Sequence, residues 1–173
     1  MPEDAYSDCD RNWSIYYNGK IYYSENIKDF RFPSRIKKGD IILLRNRITA
    51  KNPVDSSLSI LLSLSGVRAY VDGHEVYECG TSYQKRGKLA PSCYHYIPLP
   101  DNSSGKSILI EVRPTVEDAF TNIGNIKLVR SELAYYTLAC QNRGTLFVGI
   151  FLVTLGIIAL IIGTMVSVYK KST

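Results

Sequence analysis

The two histidines, His74 and His95, are the residues best suited to acid–base chemistry in this chain of 173 residues, because imidazole ordinarily titrates near neutral pH. Serine hydrolysis would need a histidine oriented beside a nucleophilic serine and an oxyanion site. The sequence has no Gly-x-Ser-x-Gly motif, and nothing places a serine beside either histidine. We therefore expect both to be exposed turn or strand residues, and we predict no catalytic residue.

Carboxylates and glycine-rich loops are the other common carriers of catalysis. A carboxylate pair for glycoside hydrolysis stays open at this point, although Asp72 is explained by a turn and Glu75 by a cross-strand position. Glu117 and Asp118 fall together in a predicted solvated loop. No Gly-x-Gly-x-x-Gly or phosphate-binding loop motif occurs. We predict that the chain is not an enzyme and uses no cofactor.

The four cysteines leave two interpretations open. Cys79 and Cys93 are fourteen positions apart and bracket a loop, so a disulfide between them is one candidate. Cys9 and Cys140 have no evident partner, and unpaired buried thiols are the alternative for all four. Because no Cys-x-x-Cys pair occurs, we predict no metal site.

The stretch Val67–Gly80, VRAYVDGHEVYECG, predicts a β-hairpin around Asp72 and Gly73. A two-residue turn would place two pairs on one surface: Arg68 opposite Tyr77, and Tyr70 opposite Glu75. Aromatic rings and polar side chains on such a surface can bind a carbohydrate or another small extracellular ligand. The alternative is that these are ordinary exposed side chains of the strands with no ligand-binding role. The candidate ligand-binding residues are Arg68, Tyr70 and Tyr77, with Tyr94, His95 and Tyr96 on a later strand.

Short strands separated by turn residues fill the chain before residue 131, and the thirteen tyrosines suit pleated, half-buried surfaces. The predicted strands are Trp13–Tyr17, Lys20–Ser24, Ile41–Ile48, Leu58–Leu64, Val67–Val71, His74–Cys79, Tyr94–Pro98, Lys106–Pro114 and Asn125–Arg130. Many short strands at regular spacing are typical of an antiparallel β-sandwich or jelly roll. The fold class is therefore predicted to be mainly β.

The segment Gly144–Tyr169 contains no charged residue and predicts a single C-terminal transmembrane helix. As a helix it would be roughly 39 Å long, against a hydrocarbon core of roughly 30 Å. The membrane-flanking residues are Arg143 on one side and Tyr169, Lys170 and Lys171 on the other. Glycines recur every seven residues at 149, 156 and 163, which favours self-association through this helix.

Between the strands and the span, Ser131 could cap a short helix with Glu132 in its first turn. That helix would transmit movement to the span, or it would be a plain tether. The predicted division of the chain is an N-terminal tail (1–11), the β-sandwich (12–130), a connecting helix (131–143), the transmembrane helix (144–169) and a cytoplasmic tail (170–173).

Charge bears on orientation and on partners. Lys170 and Lys171 favour a cytoplasmic C-terminus and an extracytoplasmic domain, whereas Arg130 and Arg143 weaken that bias. The acidic start of the chain has no apolar signal core, so we expect either a missing start or a tail-anchored protein with a cytoplasmic domain.

The net charge of +5 comes from scattered residues rather than a basic stripe, so no nucleic-acid partner is predicted.

Several stretches in this order carry a resemblance to a known family: WSIYYNGKIYY, KKGDIILLRNRI, LSLSGVRAYVDGHEVYECG, YHYIPLPDNSSGKSILIEVRP and NIGNIKLVRSEL, followed by the apolar helix. Over roughly residues 12–170 the chain resembles the extracytoplasmic sandwich domain and first transmembrane helix of bacterial membrane signalling proteins. Those proteins are often of the diguanylate cyclase (GGDEF) type. Their sandwich is similar to the jelly-roll, sugar-binding-like modules of glycoside hydrolases.

The resemblance implies a sensor or ligand-binding module in the cell membrane, acting in signal transduction. No GGDEF, EAL, histidine-kinase or phosphatase motif is present, so we expect the output domain to lie in a missing part or a partner. The alternatives are a structural or assembly protein whose sandwich docks another protein, and a tail-anchored cytoplasmic binding domain.

Overall fold

The computed structural model describes residues 6–49, 55–130 and 143–172. The first two ranges contain ten strands and one short helix. The strands are β1 (Tyr6–Asp8), β2 (Arg11–Tyr17), β3 (Lys20–Asn26), β4 (Ile42–Arg47), β5 (Ser56–Leu62), β6 (Ser65–Val71), β7 (His74–Cys79), β8 (Cys93–Pro98), β9 (Ser107–Pro114) and β10 (Ile126–Arg130). The helix α1 is Thr81–Lys85, and a 3₁₀ turn covers Ile27–Asp29.

The strands form two antiparallel sheets, which confirms the prediction of a mainly β, antiparallel fold. One sheet has four strands in the order β1-β10-β5-β8, and the other has six in the order β3-β2-β4-β9-β6-β7. Buried side chains of both sheets belong to a single hydrophobic cluster, with Ile60 and Ile97 from the four-stranded sheet and Trp13, Leu44 and Ile110 from the six-stranded sheet. Each sheet therefore turns one face of its strands toward a shared core.

Two tight turns are fixed by residues that accept a positive φ. Asn18 and Gly19 have φ angles of 51° and 74°, and Asp72 and Gly73 have 47° and 84°. A two-residue turn in which both residues have a positive φ is a type I′ turn, and its twist matches the twist of the two antiparallel strands. The predicted hairpins β2–β3 and β6–β7 are confirmed.

The register of the β6–β7 hairpin differs from the predicted one. Tyr70 is opposite Glu75 as expected, but Ala69 is opposite Tyr77 and Arg68 is opposite Glu78. A β-bulge at Val76 causes this shift, because two steps along β7 match one step along β6. The predicted pairing of Arg68 with Tyr77 is therefore wrong.

The nine predicted strands are present as β2 to β10, with ends that differ by no more than two residues. Two elements were not predicted. Tyr6–Asp8 pairs with β10, although the sequence analysis placed these residues in a tail. Thr81–Lys85 is a helix between β7 and β8. It packs closely against β6, because a Cβ added at Gly66 would lie only 3.2 Å from the backbone nitrogen of Thr81.

The long helix α2 (Arg143–Ser172) belongs to a second compact unit, separate from that of the strands. Its segment Phe147–Met165 is long and apolar enough to cross a membrane, as predicted for 144–169. The flanking positions Arg143, Tyr169, Lys170 and Lys171 all lie within this helix. The predicted connecting helix over 131–143 lies outside the described residues, except for Arg143.

Candidate functional site

The outer face of the six-stranded sheet carries the side chains that alternate with its core residues. The strand register aligns them in rows across the sheet. One row contains, from edge to edge, Tyr23, Ser14, Arg45, Leu109, Tyr70 and Glu75. Neighbours in such a row have Cβ atoms roughly 5 Å apart, so their side chains can contact one ligand together. We name this the outer row.

An open groove of about 920 Å³ lies next to the outer row. Ser14 and Arg45 belong to both the row and the groove. Its lining residues are Asn12, Ser14, Arg45, Asn46, Arg47, Thr49, Asp72, Ser104, Gly105, Lys106 and Ser107. All are polar, charged or glycine, and the volume falls in the range of small-ligand sites. We name this the polar groove.

The polar groove is rich in positive charge. Arg45, Arg47 and Lys106 line it, against the single carboxylate of Asp72. That carboxylate accepts hydrogen bonds from the backbone nitrogen and the hydroxyl of Ser107, at 2.9 and 3.1 Å. None of the three cations makes an ion pair with another residue that the structure describes. The groove therefore favours a ligand that carries negative charge.

A smaller cavity of about 200 Å³ shares four lining residues with the polar groove: Asn12, Asn46, Arg47 and Thr49. The rest of its lining is mostly apolar and includes Trp13, Ile48, Leu58, Ile108 and Leu128. The two cavities therefore meet along a polar rim. Together they offer hydrogen-bonding groups and an apolar surface, which is the combination that a sugar ring uses.

Exposed aromatic residues continue from the groove toward the free edge of the sheet. Tyr23 on the edge strand β3 is 82% exposed, and Tyr16 on β2 is 42% exposed. Ile21, opposite Tyr16, is 59% exposed. Apolar side chains are uncommon on an exposed sheet edge. Where they occur, they indicate an edge that can contact another molecule.

Of the predicted ligand-binding residues, Arg68 and Tyr70 lie on this outer face. A guanidinium nitrogen of Arg68 lies 3.3 Å from Glu78, its cross-strand partner, and the hydrogen bond to Glu78 raises the pKa of Arg68. A hydrogen bond from the Thr81 hydroxyl and then the bond from Arg68 lower the pKa of Glu78. Arg68 is therefore already paired with the carboxylate of Glu78, whereas Arg45 forms no ion pair with a residue that the structure describes.

Tyr77 does not join Arg68 and Tyr70. Because the bulge at Val76 changes the alternation, Tyr77 opposes Ala69, which is fully buried, and so it points away from the outer face. His74, by contrast, lies exposed beside the turn, as expected.

Tyr94, His95 and Tyr96 lie on β8, at the edge of the other sheet. The rings of Tyr94 and Tyr96 are neighbours, with centroids 6.5 Å apart. His95 is only 1% exposed, so the prediction of an exposed strand histidine is wrong. It is opposite Ile60, a core residue, and residues directly opposite share a face of a sheet.

His95 belongs to a group of four side chains that we name the thiol–imidazole ring: Tyr77, Cys79, Cys93 and His95. His95 is buried, and the other three are half-buried. The Tyr77 hydroxyl lies 3.1 Å from His95 Nδ1, and Cys93 Sγ lies 3.6 Å from His95 Nε2. Cys79 interacts with both Cys93 and Tyr77 and thereby closes the ring. Each member therefore has two polar neighbours within the group.

Burial dominates the protonation of this group. Burial lowers the pKa of His95 to about 4, so the imidazole is neutral at pH 7. Burial, followed by the neighbouring Cys79, raises the pKa of the Cys93 thiol. Burial also raises the pKa of Tyr77 well above its ordinary value. Tyr77, Cys93 and His95 are therefore all predominantly uncharged at pH 7.

Most of the groove residues are not among the binding residues predicted from the sequence. Arg45 and Arg47 belong to the scattered basic residues, but they are two positions apart on one strand. Side chains two positions apart share a face, which was the available signal. Lys106 and Asp72 could not be found this way, because they come from loops that meet only in the fold.

Among the residues that the structure describes, no group of three or more His, Cys, Asp or Glu side chains is arranged to hold a metal ion. No protein-family model matches the chain, and no curated protein matches it. The resemblance to bacterial sensor domains therefore stays a prediction, and the geometry of the outer face is the main guide to function.

Proposed function

We propose that this chain is a membrane-anchored ligand-binding module whose β-domain is a sandwich of jelly-roll type outside the cytoplasm. The packing of both sheets around one hydrophobic cluster supports the sandwich. The apolar segment Phe147–Met165 supports the anchor. In this proposal the module reports ligand binding to the membrane helix and to a signalling partner, and it catalyses no reaction itself.

One observation carries the binding proposal. The polar groove has three cations that form no ion pair with any described residue, and it joins a row of outward side chains that includes Tyr70 and Tyr23. Saccharides are bound by aromatic rings that stack on the sugar faces and by polar groups that hold the hydroxyls. The positive charge selects among saccharides, and we propose an acidic saccharide as the ligand.

In the proposed binding mode, Arg45 donates charge-assisted hydrogen bonds to a carboxylate of the ligand, since its planar guanidinium suits bidentate contacts. Arg47 and Lys106 add charge from the same groove. Tyr70 and Tyr23 contact sugar rings farther along the outer row.

Thermal unfolding of the full chain in detergent tests this proposal, with an oligosaccharide of uronic acid units as the probe and its neutral counterpart for comparison. The acidic probe should raise the Tm in a concentration-dependent way, because a ligand that binds only the folded state stabilises it. The Arg45→Ala variant should weaken binding by at least about tenfold, which is the effect of losing one charge-assisted hydrogen bond.

Arg35→Ala is the matched control. Arg35 is an exposed arginine paired with Asp118 at 2.5 Å, away from the polar groove, so this variant should bind like the parent. Binding that is absent with both probes, or equal in the Arg45→Ala variant and the parent, would refute the proposed site.

The orientation is tested in the same full chain. Asp101 lies in an exposed turn, so an Asp101→Cys variant should react with a membrane-impermeant maleimide in intact cells beyond the level of the parent. A Ser172→Cys variant should not. The opposite pattern would favour the tail-anchored cytoplasmic alternative.

The second candidate function is docking of another protein. The exposed Ile21 and Tyr23 on the free edge strand β3 favour it, because an edge strand with apolar side chains can pair with a strand of a partner. Under this alternative, Ile21→Lys would abolish capture of the partner, while acidic saccharides would leave the Tm unchanged.

A further inference from the structure

The thiol–imidazole ring lies where the edges of the two sheets come together. Cys79 ends β7, the edge strand of the six-stranded sheet, and Cys93 begins β8, the edge strand of the four-stranded sheet. The chain between them forms α1 and a loop, and the two strands make direct contacts. The Tyr77–His95 hydrogen bond joins the same two edges.

Both cysteines are free thiols in the structure, and both are half-buried. Cys79 is two residues after Tyr77 on β7, and Cys93 is two residues before His95 on β8, so each cysteine shares a strand face with one member of the Tyr77–His95 contact at 3.1 Å. This contact between the two strands places Cys79 and Cys93 beside each other. Two neighbouring thiols on adjacent strands need only a small adjustment of side chains to bring sulfur to sulfur. Cys9 is distant in sequence from Cys79 and Cys93 and is not a member of the thiol–imidazole ring.

We propose that Cys79 and Cys93 form a reversible disulfide that clamps the free edges of the two sheets to each other. The proposal does not depend on the ligand of the polar groove. Its consequence is that the domain exists in an open-edged reduced form and a cross-linked oxidised form.

The oxidant is a disulfide compound, either a small one such as oxidised glutathione or the disulfide of an oxidoreductase. The thiolate of one cysteine attacks the external disulfide, forms a mixed disulfide and releases one external thiol. The second thiolate then attacks the protein sulfur of that mixed disulfide and releases the other external thiol. Two protein thiols and one external disulfide thus become one protein disulfide and two external thiols.

The hydrogen bonds of the thiol–imidazole ring are compatible with both the reduced and the oxidised state of Cys79 and Cys93. In the reduced state we assign the Nε2–H tautomer to His95, because a tyrosine O–H is a stronger donor than a thiol S–H. Tyr77 O–H then donates to His95 Nδ1 at 3.1 Å, and His95 Nε2–H donates to Cys93 Sγ at 3.6 Å. The Cys93 thiol donates to Cys79, and the Cys79 thiol donates to Tyr77, which completes the ring. Oxidation removes only the two thiol hydrogens. Both hydrogen bonds of the buried His95 are kept, so oxidation leaves no imidazole nitrogen unsatisfied.

The test incubates the full chain in detergent with oxidised glutathione, blocks remaining thiols with iodoacetamide, and maps the peptides by mass spectrometry. The expected result is a peptide pair joined through Cys79 and Cys93, with Cys9 alkylated. Reduction with dithiothreitol before blocking should return both cysteines to the alkylated form.

The oxidised chain should also unfold at a higher temperature. A cross-link that closes a loop of about 15 residues should raise the Tm by roughly 10 °C, because it restricts the unfolded chain. The Cys93→Ala variant should lose this difference between oxidised and reduced samples. The matched control, Cys9→Ala, should keep it.

Three results would overturn the proposal: alkylation of both Cys79 and Cys93 after oxidation, a stable glutathione adduct on either one, or a cross-link to another cysteine in place of this pair. The mass measurement does not depend on how stable the variants are, so it decides the question even if Cys93→Ala folds poorly.

Discussion

The two faces of the β6–β7 hairpin carry similar residues in opposite roles. On the outer face, Tyr70 lies in the outer row beside the polar groove and interacts with Arg68. On the inner face, Tyr77 is held by His95 and Cys79 and joins the two sheets. The two tyrosines are seven positions apart on the two strands of one hairpin. Their environments differ because a single bulge at Val76 separates them.

This difference shows where chemistry can occur in the molecule. Inside, burial keeps His95 neutral and raises the pKa of Cys93, so the polar groups serve structure. Outside, Arg45, Arg47 and Lys106 stay solvated and unpaired among the described residues, so they are available to a ligand. Residue type alone would have made His95 the first candidate for a functional residue. Its burial makes it a weaker candidate than the solvated cations of the polar groove.

The largest effect should be the pH dependence that His95 imposes on stability. Its pKa is about 4 in the folded state and ordinarily 6.5, so between these values only the unfolded state takes up a proton. Stability should therefore be full above pH 6.5 and fall by on the order of 3 kcal/mol as the pH drops to 4. Urea unfolding of the reduced full chain at several pH values measures this loss.

The exposed His74 provides the matched control for that measurement. His95→Gln should flatten the pH dependence between pH 6.5 and 4, whereas His74→Gln should preserve it, because both variants keep every carboxylate. An NMR titration of the His95 imidazole gives the same answer without relying on a stable variant. A folded-state pKa near 6.5 would show that His95 is not buried as described.

A smaller effect should separate the two tyrosines directly. Tyr77→Phe removes the hydroxyl that satisfies His95 Nδ1 at 3.1 Å, and should cost about 1–3 kcal/mol. Tyr70→Phe makes the same chemical change on the outer face and should alter stability by no more than about 0.5 kcal/mol. Chemical denaturation of both variants checks the contrast, and equal losses would mean that the two faces are not distinguished.

The smallest effect should come from the outer ion pair of Arg68 and Glu78, at 3.3 Å. The two side chains are 29% and 42% exposed, so solvent and salt screen the pair in part. Glu78→Gln should therefore change the Tm by at most about 4 °C, and less at high salt. Thermal unfolding at low and high salt measures this. A large, salt-independent loss would place this pair among the buried interactions instead.

Much of the fold was predictable because its signals are local. Asn18–Gly19 and Asp72–Gly73 specify type I′ turns, and alternation along Ser107–Pro114 specifies a strand with one buried face. The helix Arg143–Ser172 follows from uninterrupted apolar composition. Strand β1 gave no such signal, because three residues are too few to show a period and their pairing with β10 is distant in sequence.

The candidate site was predicted only in part. Arg68 and Tyr70 were placed on the correct face because the turn fixes the first pairs of the hairpin. Tyr77 was misplaced because counting along the strand assumes one residue per pair, and the bulge adds one. His95 was misplaced because alternation shows which residues share a face but not which face is covered.

The sequence by itself determined strands β2 to β10, the two tight turns and the apolar helix, since each depends on residues close together in the chain. The tertiary structure alone decided which residues share the polar groove, among them Arg45, Arg47, Lys106 and Asp72. It alone also decided that Tyr77, Cys79, Cys93 and His95 form one ring between the two sheets. Strand order and sheet packing bring together residues from separate segments, and no local pattern encodes which segments become neighbours.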